Sequence, residues 1–271
     1  MKTSIYENSK SVFLDSIDSK NFVELTRISL VYESFKESLK KPIKMILLYG
    51  KPGAGKSMLL LKLHDEIKLS QKAYLYKTPI LDESEFFKII AQDLYDMKYN
   101  SELNFTQFMK VVENSKQDEI NVPIVMLDEA QLYSTTLMEK IRLLSDTRKV
   151  KFVIALHKTE KEDLIAKEHF QTRIWENIKL DNASASELKL YIQKKLMLAN
   201  NLEVATMFTQ KAVDLIHKFT AGNYRDTNKL LFTIFEIYIY YANNNPSKIN
   251  SKEISRKIIE MSAMHTGLLD A

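Results

Sequence analysis

The chain has 271 residues, 45% of them hydrophobic and 27% charged, with a net charge of +4. Such usage belongs to globular proteins and gives enough core for one large domain or two modest ones, which excludes a disordered or fibrous chain. No cysteine is present, so disulfides, thiolate metal sites and cysteine nucleophiles are excluded. The mild basic excess permits contact with nucleic acid or acidic lipid without arguing for either.

The N-terminus, MKTSIYENSKSVFLDS, has no apolar core of signal-peptide length, and residues 1–40 read as a helical lead-in. Met45–Tyr49, Ala73–Tyr76, Ile124–Leu127 and Phe152–Leu156 are short, apolar and rich in β-formers, the pattern of buried strands. A fifth strand is predicted at Ile174–Leu180. Helical spacing fills Ser57–Leu69, Glu83–Met97, Phe105–Glu113 and Leu137–Leu144 between them. This alternation predicts an α/β domain over residues 1–182, a parallel sheet flanked by helices.

After Asn182 the strand signals stop. Ser184 precedes Glu187 by three residues, as in a capping box. Leu188, Tyr191, Ile192 and Leu196 follow at helical spacing. Phe208–Phe219, Thr227–Ala242 and Ser251–Met264 continue as amphipathic helices, so residues 183–271 are expected to form a smaller all-helical domain. The apolar run Leu230–Ala242 carries Glu236 and is too short for a membrane span, which needs roughly 20 residues. A cytoplasmic location is expected, with any membrane association through a partner or a surface.

Three of the five glycines fall in Gly50-Lys51-Pro52-Gly53-Ala54-Gly55-Lys56-Ser57, which matches G-x-x-x-x-G-K-[ST] between an apolar strand and an apolar helix. Glycines let backbone N–H groups close around phosphate oxygens where a Cβ would obstruct them. The helix that follows points its positive N-terminus at the same anion. Lys56 is expected at the β- and γ-phosphates, with the Ser57 hydroxyl on Mg²⁺. Gly50 to Ser57, together with Met58, form the expected ATP contact.

The second half of such a site is a strand ending in a carboxylate, and VPIVMLDEAQ supplies one. Asp128 and Glu129 emerge at the strand end, and as neighbours they point in different directions. Asp128 is expected to hold Mg²⁺, and Glu129 to orient and deprotonate the attacking water. A water base separates a hydrolase from a small-molecule kinase, which passes the phosphoryl group to a bound acceptor.

A P-loop, then D-E-A-Q after an acidic strand, then a helical lid resembles the AAA+ ATPases. Within them the chain is similar to the ExeA/GspA-type general secretion ATPases and the related MuB- and TniB-type transposition ATPases, from about Phe22 to the C-terminal helix. The resemblance implies a polar residue after the next strand that senses the γ-phosphate. His157 takes that place, with Thr159 second, although the sequence reads L-H-K where the subgroup often shows G-Q-P. It implies for HFQTRIWENIKL that Arg173 is an arginine finger offered to a neighbouring subunit's nucleotide, with Arg142 and Arg148 as weaker competitors. The other reading of Arg173 is a surface arginine paired with Glu168 or Glu176. In the lid, TAGNYRDTNKLL resembles S-G-x-P-R-x-I-N-x-L, with Tyr224 in place of proline. Gly222 ends one helix, and Arg225 and Asn228 keep the pattern, so Arg225 is expected to contact the γ-phosphate.

The resemblance implies a homo-oligomer that works either on a secretion, type IV pilus or DNA-uptake machine through a membrane-associated partner, or on DNA as a target-selection ATPase. A third reading is a slow nucleotide-gated adaptor. Dispersed lysines and the small net charge give the DNA reading little support.

Overall fold

The structure is a computed structural model that describes residues 5–14, 18–115, 122–157, 168–250 and 252–269, the side chain of His169 aside. In chain order the elements begin with α1 (Ile5–Ser11), α2 (Thr26–Lys40), β1 (Met45–Tyr49), α3 (Lys56–Ile67), β2 (Ala73–Tyr76) and α4 (Glu83–Tyr95). Then come α5 (Phe105–Asn114), β3 (Ile124–Leu127), α6 (Thr135–Asp146), β4 (Lys151–Leu156), α7 (Glu168–Gln171) and β5 (Ile174–Lys179). The last helices are α8 (Ala185–Leu198), α9 (Leu202–Thr206), α10 (Gln210–Thr220), α11 (Tyr224–Asn244) and α12 (Arg256–Thr266). They fall into two compact units. One comprises Arg27–Pro52 and Lys56–Leu180, and the other the described residues of Met1–Thr26, Gly53–Gly55 and Asp181–Ala271.

The first unit is a five-stranded parallel sheet of order β2-β3-β4-β1-β5. Its middle strands β3 and β4 are buried along their whole length, which explains why they read as unbroken apolar runs rather than alternating ones. Lys151, at the start of β4, is buried with them and donates from Nζ to the Leu39 carbonyl at 2.7 Å, closing the end of α2. At the edge, β5 alternates, and Trp175 on it is 59% exposed. Helices pack on the sheet through an aromatic core in which the Phe87 ring lies 5.4 Å from Phe86 and 5.0 Å from Phe108. Because all strands are parallel, their C-terminal ends share one edge and their N-terminal ends the other.

The second unit is helical. Ser184 and Glu187 form the capping box at the start of α8, with bonds in both directions. Helix α10 stops at Ala221 and Gly222, both left-handed (φ 47° and 72°). At Gly222 the chain has no room for a side chain, since a Cβ there would lie 1.8 Å from the Ala183 carbonyl oxygen, and Ala183 N–H donates to the Gly222 carbonyl at 3.0 Å. Helix α1 belongs to this unit and not to the sheet. Tyr6 packs on Tyr238 and Phe13 on Phe235, with ring centroids 5.1 and 5.8 Å apart. Lys195 donates to the Val12 carbonyl at 2.7 Å. The grouping therefore departs from a single boundary at residue 182 in its N-terminal part. Helix α11 is apolar on more than one face, and α1 covers what the later helices leave. No described helix is long and apolar enough to cross a membrane.

Candidate functional site

The Gly50–Ser57 turn joins β1 to α3. Gly53 and Gly55 both take left-handed backbone (φ 78° and 96°), which glycine adopts without strain and which turns successive N–H groups to one side. Lys56 is only 5% exposed, and its ammonium donates to the Gly50 and Lys51 carbonyls at 2.7 and 3.1 Å. Ser57 and Met58 lie half-buried in the first turn of α3, and Lys51 and Pro52 are exposed. The turn thus presents a cation and a helix N-terminus beside a ring of backbone donors, the pattern that holds a phosphate chain.

Gly53–Gly55 group with the helical unit, where they meet the start of α11. Asn223 caps that helix, accepting from Arg225 N–H at 3.1 Å and Asp226 N–H at 3.2 Å. A Cβ on Gly53 would lie 2.2 Å from Asn223 Oδ1 and 2.9 Å from Arg225 Cβ. Tyr224 N–H donates to the Gly53 carbonyl at 3.2 Å. The Arg225 Cβ therefore lies beside Gly53. Asn228 accepts from the Tyr191 hydroxyl at 2.9 Å and so braces the first turns of α11 against α8.

Asp128 follows β3 and is 4% exposed. Its N–H donates to the Tyr76 carbonyl at 3.0 Å, and its Oδ1 accepts from Glu129 N–H at 2.9 Å. Among the described residues this buried carboxylate has no ion pair. No described group of three or more His, Asp or Glu side chains could cage a metal unaided. Asp128 and Ser57 are oxygen donors, which suit Mg²⁺, a hard ion that takes one or two protein ligands and completes its shell with phosphate oxygens and water.

Glu129 points elsewhere because its backbone is left-handed (φ 51°, ψ 38°). Its Oε2 lies 3.0 Å from His157 Nε2 and accepts from Gln131 Nε2 at 2.6 Å. His157 stands directly after β4, and its carbonyl accepts from Gly50 N–H at 2.7 Å. The ends of β1, β3 and β4 thus bring the phosphate turn, the two acids and the histidine to one edge. Thr159 lies outside the described residues. Gln131 belongs to the quoted D-E-A-Q stretch, but nothing in that stretch gave it a role.

Arg173 lies at the opposite edge, just before β5. Its Nε and Nη2 donate to the two oxygens of Asp146 at 3.2 and 3.3 Å, and its Nη1 donates to Thr172 Oγ1 at 2.8 Å. Asp146, the last residue of α6, also receives Lys44 Nζ at 2.5 Å and Arg142 Nη1 at 3.3 Å. Partial burial raises the Asp146 carboxyl, but hydrogen bonds from Arg173 and Lys44 outweigh it and hold the group below the ordinary value of 3.8. Glu176, one of the partners weighed for Arg173, accepts from Ser34 at 3.0 Å and from Ser38, across the face of α2. Of the competitors, Arg142 is held by Glu139 at 2.8 Å, and Arg148 is exposed on left-handed backbone (φ 59°).

Residues 40–165, which carry the P-loop, Asp128, Glu129 and His157, match the family model described as an AAA domain. A search of curated proteins finds no match. Among solved structures the chain is similar to a chain of Drosophila ORC bound to DNA, with TM-score 0.68 and 12% identity, over 97% of this chain and 66% of that one. It is similar to Cdc6p from Pyrobaculum aerophilum (0.64, 15%, over 95% and 71%). It is similar also to the Thermotoga maritima RuvB Holliday junction branch migration motor (0.59, 17%, over 95% and 76%). The chain spans just under two thirds of the Drosophila chain. The fold is that of the AAA+ P-loop NTPases.

Proposed function

We propose that the protein binds ATP in the Gly50–Ser57 turn, with Arg225 on the γ-phosphate, and hydrolyses it with Glu129 as the base for water. The observation that carries this is the division of labour between two adjacent acids. Asp128 is buried with no ion pair among the described residues, while Glu129 is turned away from it toward His157. Ser57 and Asp128 would hold Mg²⁺, which when bound neutralises charge on the β- and γ-phosphates. Lys56 exchanges its two carbonyl partners for phosphate oxygens. His157 and Gln131 fix the Glu129 carboxylate until water is in place, and His157 reports the γ-phosphate through the Gly50 backbone it already bonds.

Arg173 completes the reaction in a neighbouring copy. It sits at the start of β5, and the five residues of β1 separate that edge from Gly50, about 3.3 Å for each residue. An arginine there serves another subunit's nucleotide, which calls for head-to-tail assembly.

The work done with this ATPase is switching or powering the assembly of a secretion, pilus or DNA-uptake machine, on the resemblance to the ExeA/GspA-type ATPases. A second reading, ATP-dependent DNA binding, is favoured by neighbours of like fold described as bound to DNA or as a branch migration motor. One experiment addresses both: ATP turnover measured with and without duplex DNA, with Lys56→Ala as the blank. Turnover by the parent and none by Lys56→Ala supports the site, and tight ATP binding by Lys56→Ala overturns it. Strong stimulation by DNA that salt abolishes moves the assignment to the second reading.

A further inference from the structure

We infer that Asp146 is the positioning residue for Arg173, and that it sets the direction in which this guanidinium is offered to a neighbouring subunit's nucleotide. The inference rests on the trans-acting role given to Arg173 above. Arginine has five donors in a fixed planar fork. Two of them, Nε and Nη2, are committed to the two oxygens of Asp146 in the side-by-side manner that fixes the plane of the group. A third, on Nη1, is tied to Thr172. A long side chain at an edge otherwise samples many rotamers, and fixing it beforehand removes that ordering cost from the transition state.

Asp146 itself has little freedom. It ends α6, Lys44 holds one of its oxygens from the start of β1, and Arg142 holds the other from one helical turn back. Glu139 in turn holds Arg142. Three cations around one carboxylate also leave the cluster positive, so Asp146 orients Arg173 without cancelling the charge it brings to a phosphate. Arg148 lies in the same α6–β4 turn, exposed and, among the described residues, without such a clamp, which makes it the internal comparison.

The test uses the full chain and steady-state ATP turnover. Asp146→Asn is expected to lower kcat by about tenfold to a hundredfold, as for a misplaced group, with KM for ATP unchanged. The double variant with Arg173→Ala is expected to be no slower than Arg173→Ala alone. Asp146→Asn subunits mixed with Glu129→Gln subunits should regain turnover, because the latter carry an intact Asp146–Arg173 pair. Asp146→Glu, which keeps the charge but moves it by one methylene, serves the same comparison if the asparagine variant does not fold. Full kcat in the folded variant, or a double variant slower than Arg173→Ala alone, overturns the inference and leaves the trans-arginine reading standing. Full kcat in Arg173→Ala, or no recovery when it is mixed with Glu129→Gln, overturns the trans reading and the role of Asp146 with it.

Discussion

The two edges of the sheet solve different problems with the same amino-acid types. At the C-terminal edge, Glu129 aside, the polar groups are held by backbone: Lys56 by carbonyls, Asp128 by a main-chain N–H, and His157 through its own carbonyl. At the N-terminal edge they are held by one another, with Arg173, Arg142 and Lys44 gathered around Asp146. Backbone fixing suits a site that must enclose a ligand, since the loop that binds the phosphate also places the chemistry. Side-chain fixing suits a group that must reach beyond its own chain. On the proposed roles, an edge that receives a nucleotide is thus distinguishable from one that acts on another molecule's.

The widest test of that contrast is complementation. Glu129→Gln should lower kcat by about 10²–10⁴-fold with ATP binding retained, as for loss of a general base. Mixed with Lys56→Ala it should recover nothing, because both changes disable the subunit's own site. Mixed with Arg173→Ala it should recover turnover, because the two defects lie on opposite edges. Equal behaviour in the two mixtures would erase the distinction between the edges. A smaller effect is expected from His157→Ala, which removes one of the two groups holding Glu129: about tenfold in kcat, with Gln131 retaining part of the orientation. No change in kcat would show that Gln131 alone suffices.

Much of this was legible in the sequence, and the reasons are local. Strands β3 and β4 are unbroken apolar runs, the phosphate turn is a contiguous motif, and the Ser184–Glu187 box lies within four residues. What escaped was long-range. The contact of Lys195 with the Val12 carbonyl joins residues 183 positions apart, so no periodicity encodes the docking of α1. For Arg173 the sequence offered Glu168 and Glu176 as neighbours, yet it also donates to Asp146, 27 positions away. The sheet brings the end of α6 and the start of β5 together, and chain proximity does not. Gln131 was visible as part of a motif but not as a partner of Glu129, because that depends on the left-handed turn at Glu129 itself.

The smallest expected effect separates the edges by acidity. Asp146 titrates below its unfolded value, so its pairing stabilises the fold at neutral pH and that share is lost as pH falls through the folded value. The difference in urea midpoint between the parent and Asp146→Asn should therefore hold steady near pH 7 and close below about pH 4. A difference that persists unchanged at pH 3 would show that the asparagine acts through packing rather than charge.

Glu129 occupies a backbone conformation that glycine or asparagine would adopt more comfortably. Such a position costs on the order of 1 kcal/mol or more, and the chain bears that cost at the residue proposed as its base. Selection for a sturdier fold alone would draw this position toward glycine, and the sturdier protein would have given up its water base. On the proposed role of Glu129, thermostability and turnover are therefore opposed at this one residue.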